Sequence, residues 1–298
     1  MEIFIQQVIN GLTLGSVYAL IALGYTMVYG VIKLLNFAHS EFFMLGAFFS
    51  YYMILNFDVN VVVAFVLTML LVGGVGVVTD QIAYKPLRKS ERLSVLITAI
   101  GVSYLLRNAM VIVAGAETKS FNSAFSEIPA FLNQSIQIGG IQISMMQIIL
   151  LVVTLTLMIL LNLVVQKTKM GKAMRAVSTD PEAAQLMGIN SNQVISFTFL
   201  IGAALAGAAG MLVGMYYNSL SPLMGASYGN KAFVAAVIGG IGQIPGAVLG
   251  GYLIGMIETL ITAYGNSSIR DAVVYIILIV ILLIKPAGLL GKSESEKV

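Results

Sequence analysis

The sequence predicts an all-α integral membrane protein: a bundle of about eight transmembrane helices with broken or re-entrant segments. The first observation behind this is composition. Of 298 residues, 58% are hydrophobic and 10% charged, whereas a soluble domain carries about 25% charged residues and could not hide so much apolar surface in one core. The second is run length. The apolar stretches reach about 18 residues or more, the length of a helical span. The third is the lack of alternation. Lipid demands that every backbone polar group be paired, so spans are helices or closed barrels, and the ten-residue alternating segments of barrel strands are missing from the sequence.

The same inventory excludes several chemistries. With no cysteine and one histidine, the chain has no disulfide, no thiolate nucleophile and no multi-histidine metal cluster. The net charge of +3 is too small to signal nucleic-acid binding. No cleavable signal peptide is predicted, because the first apolar stretch lacks a basic leader and runs on too long.

That first stretch extends from Ile3 to Ile32 and reads either as one long tilted span or as a span followed by a broken element. A polar cluster follows: Lys33, Asn36, His39, Ser40 and Glu41. Further spans are predicted near 42–56, 60–83, 93–115, 143–165, 193–217, 232–262 and 272–290. The stretch 232–262 is long for one crossing and is interrupted at Gly239–Pro245, so it reads as two half-spans. No separate soluble domain or linker interrupts residues 1–298, which read as one membrane domain.

Charge orients these spans. Eight of the sixteen Lys and Arg residues sit in two short loops, 84–92 and 167–175. Short basic loops stay on the cytoplasmic side. The two spans between them form a hairpin, which places the polar connection 116–142 outside. Splitting 232–262 returns the C-terminal tail, with Lys292 and Lys297, to the cytoplasm. The side of the N-terminus stays open.

The segment 167–190 carries the most information. Its second half has helix grammar: Thr179 or Asp180 as N-cap, Pro181 in the first turn, Glu182 at the positive end of the dipole, and Gly188 as terminator. Between them, Ala183, Ala184, Leu186 and Met187 form a short amphipathic helix. By spacing alone it is equally a solvated connector. The Asn36–Glu41 cluster is either a short turn at the membrane surface or a polar segment at membrane depth, where ionisable groups usually face a cavity or a pathway. The glycines and Pro245 of 239–251 do not make a dinucleotide fingerprint. They read as close helix packing or as a broken helix presenting backbone groups to a solute. Glu258, Arg107 and Asn108 fall in apolar runs, and Arg270 with Asp271 reads as a cap of the last span. No nucleophile–base pair or phosphate-binding loop is present in the sequence, so the chain reads as no enzyme.

Four motifs, in order along the chain, carry a resemblance. Glu182-Ala183-Ala184, three residues, then Gly188 is similar to the coupling loop of ABC importer permeases. The wider segment from Gly171 to Ile189 resembles that of branched-chain amino acid permeases, specifically the H-type subunit. So do Gly11-Leu-Thr-Leu-Gly-Ser-Val-Tyr-Ala-Leu with Asn36-Phe-Ala-His-Ser-Glu41, the glycine-rich Gly239–Gly251, and the closing Lys285-Pro-Ala-Gly-Leu-Leu-Gly291. The chain departs from the family's pattern at Ser40, at Gln243 and at Thr198-Phe199-Leu200-Ile201.

The resemblance implies a permease in the bacterial inner membrane, paired with a second similar subunit above two cytoplasmic ATPases and fed by a soluble binding protein. It assigns coupling to Glu182, Ala183, Ala184 and Gly188. It places a translocation path at Asn36, His39, Ser40, Glu41, Gly240, Gly242 and Gln243. ATP and Mg would be bound by the ATPases and not by this chain. The implied cargo is leucine, isoleucine and valine. The alternatives are urea, short amides or other amino acids on the same machinery, or a stand-alone channel or secondary carrier.

Overall fold

The computed structural model describes residues 1–88, 90–126 and 129–291, apart from the side chain of Arg92. Lys89 and Glu127, and the tail with Lys292 and Lys297, lie outside the described residues. Its elements in chain order are α1 (Glu2–Ile32), α2 (His39–Phe57), α3 (Val61–Thr79), a π-helical turn (Asp80–Tyr84), α4 (Arg92–Ala114), α5 (Ala130–Asn133), strands β1 (Ser135–Ile138) and β2 (Ile141–Ser144), α6 (Met145–Lys167), α7 (Lys169–Thr179), α8 (Pro181–Leu186), α9 (Ser191–Tyr217), α10 (Met224–Gly239), α11 (Ile244–Tyr264) and α12 (Arg270–Ile284).

The first apolar run is one unbroken helix of 31 residues. Among the described residues, seven helices are long and apolar enough to cross a membrane. Helices α2, of 19 residues, and α10, of 16, complete the bundle. The core is built from α1, α2, α9, α10 and α11, whose buried side chains form one continuous cluster. By contrast, α3, α4, α6 and α12 present exposed Leu, Ile and Val along their length. In water such faces would be costly; against lipid tails they are not.

Glycine sets how closely the core helices approach. Helices α1 and α11 run antiparallel, Gly15 against Gly255 and Ala19 against Gly251. Gly250 and Gly246 of α11 meet the backbone of Ala235 and Gly239 on α10. Gly210 of α9 lies on the carbonyl of Phe43 in α2. Without side chains at the crossings, backbones pack directly and dispersion replaces the hydrophobic driving force that lipid removes.

The two ends of the bundle differ. One carries the basic segments and the α9 start; the other carries the 116–144 connection. That connection is more ordered than a polar loop: β1 and β2 pair antiparallel as a hairpin, and Lys119 bridges to Leu220 through two backbone hydrogen bonds of 2.8 Å. Helix α6 begins at a capping box of Ser144 and Gln147, shifting the span start to Met145. Gln6 of α1 extends the hairpin, donating to the Gln142 carbonyl at 2.9 Å and accepting from its N–H at 2.8 Å. The N-terminus therefore lies at the hairpin end, opposite the basic segments.

At the basic end, α10 and α11 are separate helices joined by the turn Gly240–Gln243. Helix α12 returns to this end, where the N–H groups of Leu289 and Leu290 cap the carbonyls of Ile238 and Gly239 at 2.8 and 3.0 Å.

Because the chain has no cysteine, its orientation is directly testable. Ile3→Cys is expected to react with an impermeant maleimide on intact cells. Lys169→Cys, exposed at the other end, is expected to react only after permeabilisation. The reverse labelling pattern would invert the topology.

Candidate functional site

Among the described residues, three buried carboxylates organise the polar interior, each met by a cation from elsewhere in the chain. Glu41, 0% exposed, stands in the first turn of α2. Its Oε1 accepts from Arg107 of α4 at 2.5 Å and from Ser103 at 3.0 Å. Asp80, also 0% exposed, opens the π-helical turn and takes both oxygens to Arg88 at 2.6 and 2.8 Å. Glu258 of α11 accepts from the Tyr18 hydroxyl at 2.6 Å and from Lys231 of α10 at 2.5 Å, and it forms an ion pair with Arg270 of α12 at 2.9 Å. Lys231 reaches Asp271 as well, at 2.9 Å. Taking an ion out of water is expensive, and its partner's position is then strongly specified.

Arg270 and Asp271 therefore do not cap the last span, as sequence suggests. Helix α12 has no side-chain cap, and the pair belongs to the Glu258 network because charge neutralisation outweighs a terminal hydrogen bond. Arg107 likewise lies in the bundle, while Asn108 donates to its own helix at the Tyr104 carbonyl. Sequence reading missed Lys231, Tyr18, Asp80 and Ser103. Lys231 did carry a signal, being a lone cation beside an apolar run.

The Asn36–Glu41 segment is no surface turn. Asn36, His39, Ser40 and Glu41 are all buried. After α1 ends at a left-handed Lys33, the chain turns back into the bundle, and His39 sits against Gly24, near the Ile21 carbonyl at 3.2 Å. Helix α2 thus starts inside the bundle and climbs to the hairpin end, where Tyr51 meets Ser123 at 3.1 Å. The Asn36 carbonyl oxygen Oδ1 accepts from the Ala38 N–H at 3.0 Å and from the Tyr84 hydroxyl at 2.6 Å. Three polar atoms of this segment stay buried without a hydrogen-bond partner: Asn36 Nδ2, His39 Nδ1 and Glu41 Oε2. Buried polar atoms are normally paired, so three unpaired on six residues make this segment a candidate site.

The glycine-rich turn is elsewhere. Gly242 lies against Gly30, six residues past Gly24, which on a helix is about 9 Å towards the basic end. Gly240 is buried under the backbone of Gly288 and Gly291. The structure does not bring Gly240, Gly242 and Gln243 together with His39 and Glu41, because the closing turn of the chain occupies the space beside Gly240.

At the basic end, α7 follows α6 directly. Met174 and Val177 turn inward while Lys169, Lys172 and Arg175 stay outside, an amphipathic helix that sequence reading took for loop. Asp180 caps α8, its Oδ1 accepting from the N–H groups of Glu182 and Ala183 at 2.9 Å each. Gly188, at φ 82°, ends it in the left-handed region open to glycine. Ala184 is buried, whereas Glu182 and Ala183 are exposed. Leu186 and Met187 are 89% and 83% exposed, beside a 350 Å³ hollow lined by Gln185, Gly188, Ile189, Asn190, Ser191 and Asn192. Leu186 and Met187 are thus two neighbouring large apolar side chains left nearly fully exposed at this end of the bundle.

Comparison with known proteins places this architecture. Residues 7–282 match the family described as branched-chain amino acid transport system / permease component. Relatives include the high-affinity branched-chain amino acid transport system permease protein LivH of Salmonella typhimurium, 41% identical over 303 residues covering 99% of this chain and 98% of the relative. LivH of Escherichia coli K12 is 41% identical over 308 residues, with the same coverage of both chains. BraD of Pseudomonas aeruginosa is 41% identical over 303 residues, again covering 99% and 98%. No solved structure matches the chain. With its multi-pass bundle and a family match spanning nearly its whole length, the chain belongs to the permease-component family of branched-chain amino acid transport systems.

Proposed function

We propose that this permease imports branched-chain amino acids across a bacterial inner membrane, with work supplied through α8 by a cytoplasmic ATPase. A second similar permease, two ATPases binding ATP and Mg, and a soluble binding protein complete the machine. The observation that carries this reading is the capped helix α8 with Leu186 and Met187 exposed beside the hollow at Gly188. The family assignment supports the cargo, since the relatives LivH and BraD are permease proteins of high-affinity branched-chain amino acid transport systems.

The roles within α8 are divided by burial. Ala184 packs into its own subunit, so it anchors the helix. Glu182 and Ala183, with Leu186 and Met187, form the outward face. Gly188 ends the helix so that Leu186 and Met187 stand clear of α9.

On this reading the substrate path passes the Asn36–Glu41 segment. A zwitterion needs paired polar contacts and an apolar wall. The unpartnered atoms of Asn36, His39 and Glu41 offer the former, and Tyr25, with its ring centroid 4.6 Å from that of His39, contributes to the latter. Ser40 lies between them, facing Gly229 of α10. Gly240, Gly242 and Gln243 act in packing and capping at the basic end.

The test is affinity purification of the whole complex in mild detergent. With Leu186→Glu and Met187→Glu combined, recovery of the ATPases is expected to fall at least about ten-fold, since two apolar contacts of about 1–2 kcal/mol each are lost. Undiminished recovery would remove α8 as the coupling contact. Uptake of labelled leucine by the reconstituted complex, competed with isoleucine, valine or urea, separates the cargo readings.

A further inference from the structure

The π-helical turn Asp80–Tyr84 is a feature that neither the family assignment nor the coupling loop accounts for. Such turns insert an extra residue into a helix and are often found where function needs local adjustability. Here the turn holds two polar anchors, one towards α9 and one towards α2.

The α9 anchor is Asp80. Besides Arg88, its Oδ2 accepts from Ser196 of α9 at 2.7 Å. Arg88 in turn donates to Asn192, also on α9. Asn192 and Ser196 lie in the first two turns of α9, directly behind α8. Helix α8 is fastened to that start: the Ile189 N–H donates to the Ala184 carbonyl at 3.0 Å, and Ser191 donates to the Pro181 carbonyl at 3.4 Å. The α2 anchor is Tyr84. Its ring stacks on Phe199 of α9 at 5.2 Å, and its hydroxyl donates to Asn36, which holds the N–H of Ala38 immediately before His39.

These contacts form an unbroken chain from α8 to the buried segment. It runs through Asn192 and Ser196, Arg88 and Asp80, the turn itself, Tyr84, and Asn36. A cavity of about 20 Å³ is lined by Asn36, Asp80, Tyr84, Arg88 and Phe199 among others, and two of its buried donors, Asn36 Nδ2 and Arg88 Nε, have no partner.

We propose that the turn Asp80–Tyr84 is the transmission element of this permease. It converts displacement of the α8–α9 corner into movement of the re-entrant Asn36–Glu41 segment, with Asp80 and Tyr84 as positioning residues. The proposal rests on the reading of α8 as the ATPase contact. It predicts that cutting the chain at the turn separates ATP hydrolysis from transport, while the ATPases stay bound.

The experiment uses the complete reconstituted complex and follows ATP hydrolysis and substrate uptake together. Tyr84→Phe removes one hydroxyl, and Asp80→Asn weakens the Arg88 clamp. In both, the ATPases are expected to co-purify at unchanged ratio and hydrolysis to stay within about two-fold of the parent. Uptake per ATP is expected to fall at least five-fold. A second readout exploits the cysteine-free background. Ser40→Cys is expected to change its thiol-labelling rate between nucleotide-free and ATP-trapped complexes. Adding Tyr84→Phe is expected to abolish that change while leaving the nucleotide-free rate as it was.

Unaltered uptake per ATP in both variants, or a nucleotide response at residue 40 that survives Tyr84→Phe, overturns the proposal. Undiminished recovery of the ATPases after substitution of Leu186 and Met187 would overturn only the α8 reading, so the two failures are distinguishable.

Discussion

Arg107→Ala is expected to destabilise the folded protein by about 3–5 kcal/mol, the cost of leaving a buried charge without its partner. Glu41 is wholly buried and its Oε1 depends on Arg107 and Ser103; its Oε2 already lacks a partner. Ser103 alone offers one neutral hydrogen bond, worth about 1 kcal/mol, which cannot compensate a carboxylate in the bundle. Helix α4 presents most of its surface outward, so this pair is also a main attachment of α4 to α2. The measurement is retention of monodisperse complex after graded heating in detergent. The combined variant Glu41→Gln with Arg107→Met removes both charges and is expected to recover most of the loss. Equal losses in the single and combined variants would show that the pair is not the reason for the destabilisation. Uptake should remain low in the combined variant if Glu41 contributes to the path.

The second large effect concerns the crossing of α1 and α11. Gly255→Ala is expected to cost about 3 kcal/mol, at the upper end for overpacking. Its added methyl would stand 2.2 Å from the Gly15 nitrogen and 2.4 Å from the Gly15 Cα. Both obstructing atoms are backbone, so no rotamer change relieves the clash and the helices must separate. Gly74→Ala and Gly101→Ala are the controls, with nothing within 4 Å of the added methyl. They are expected to be neutral or stabilising by about 0.5–1 kcal/mol, because alanine loses less entropy in a helix. Heat-retention assays on all three variants decide the matter. A neutral Gly255→Ala would mean that α1 and α11 are not held at backbone contact.

The glycine pair and the Glu41 pair show different limits of sequence reading. The four-residue spacings of Gly246 with Gly250 and Gly251 with Gly255 announce close packing faces. They do not say which helix lies opposite, and the structure places α10 against one face and α1 against the other. For Glu41 the sequence offers a carboxylate next to an apolar run, a pattern shared by surface turns and buried sites. Depth was the missing quantity. It depends on the chain re-entering the bundle after Lys33, which nothing in the local pattern requires.

Composition and local pattern were enough to show that this chain lives in lipid, that its spans are helices, which of its segments are basic, and that helix start and stop signals lie at 179–181 and at Gly188. Those properties follow from composition, run length and the local hydrogen-bonding preferences of Asp180, Pro181 and Gly188, all of which act over a few residues. It took the folded arrangement to show that α2 begins within the bundle and that Asp80, Glu41 and Glu258 are buried charges paired with cations. That arrangement also separated the 240–243 turn from His39 and joined Tyr84 to Asn36. Most of these depend on contacts between residues far apart in the chain, and periodicity within one helix carries no information about its neighbour.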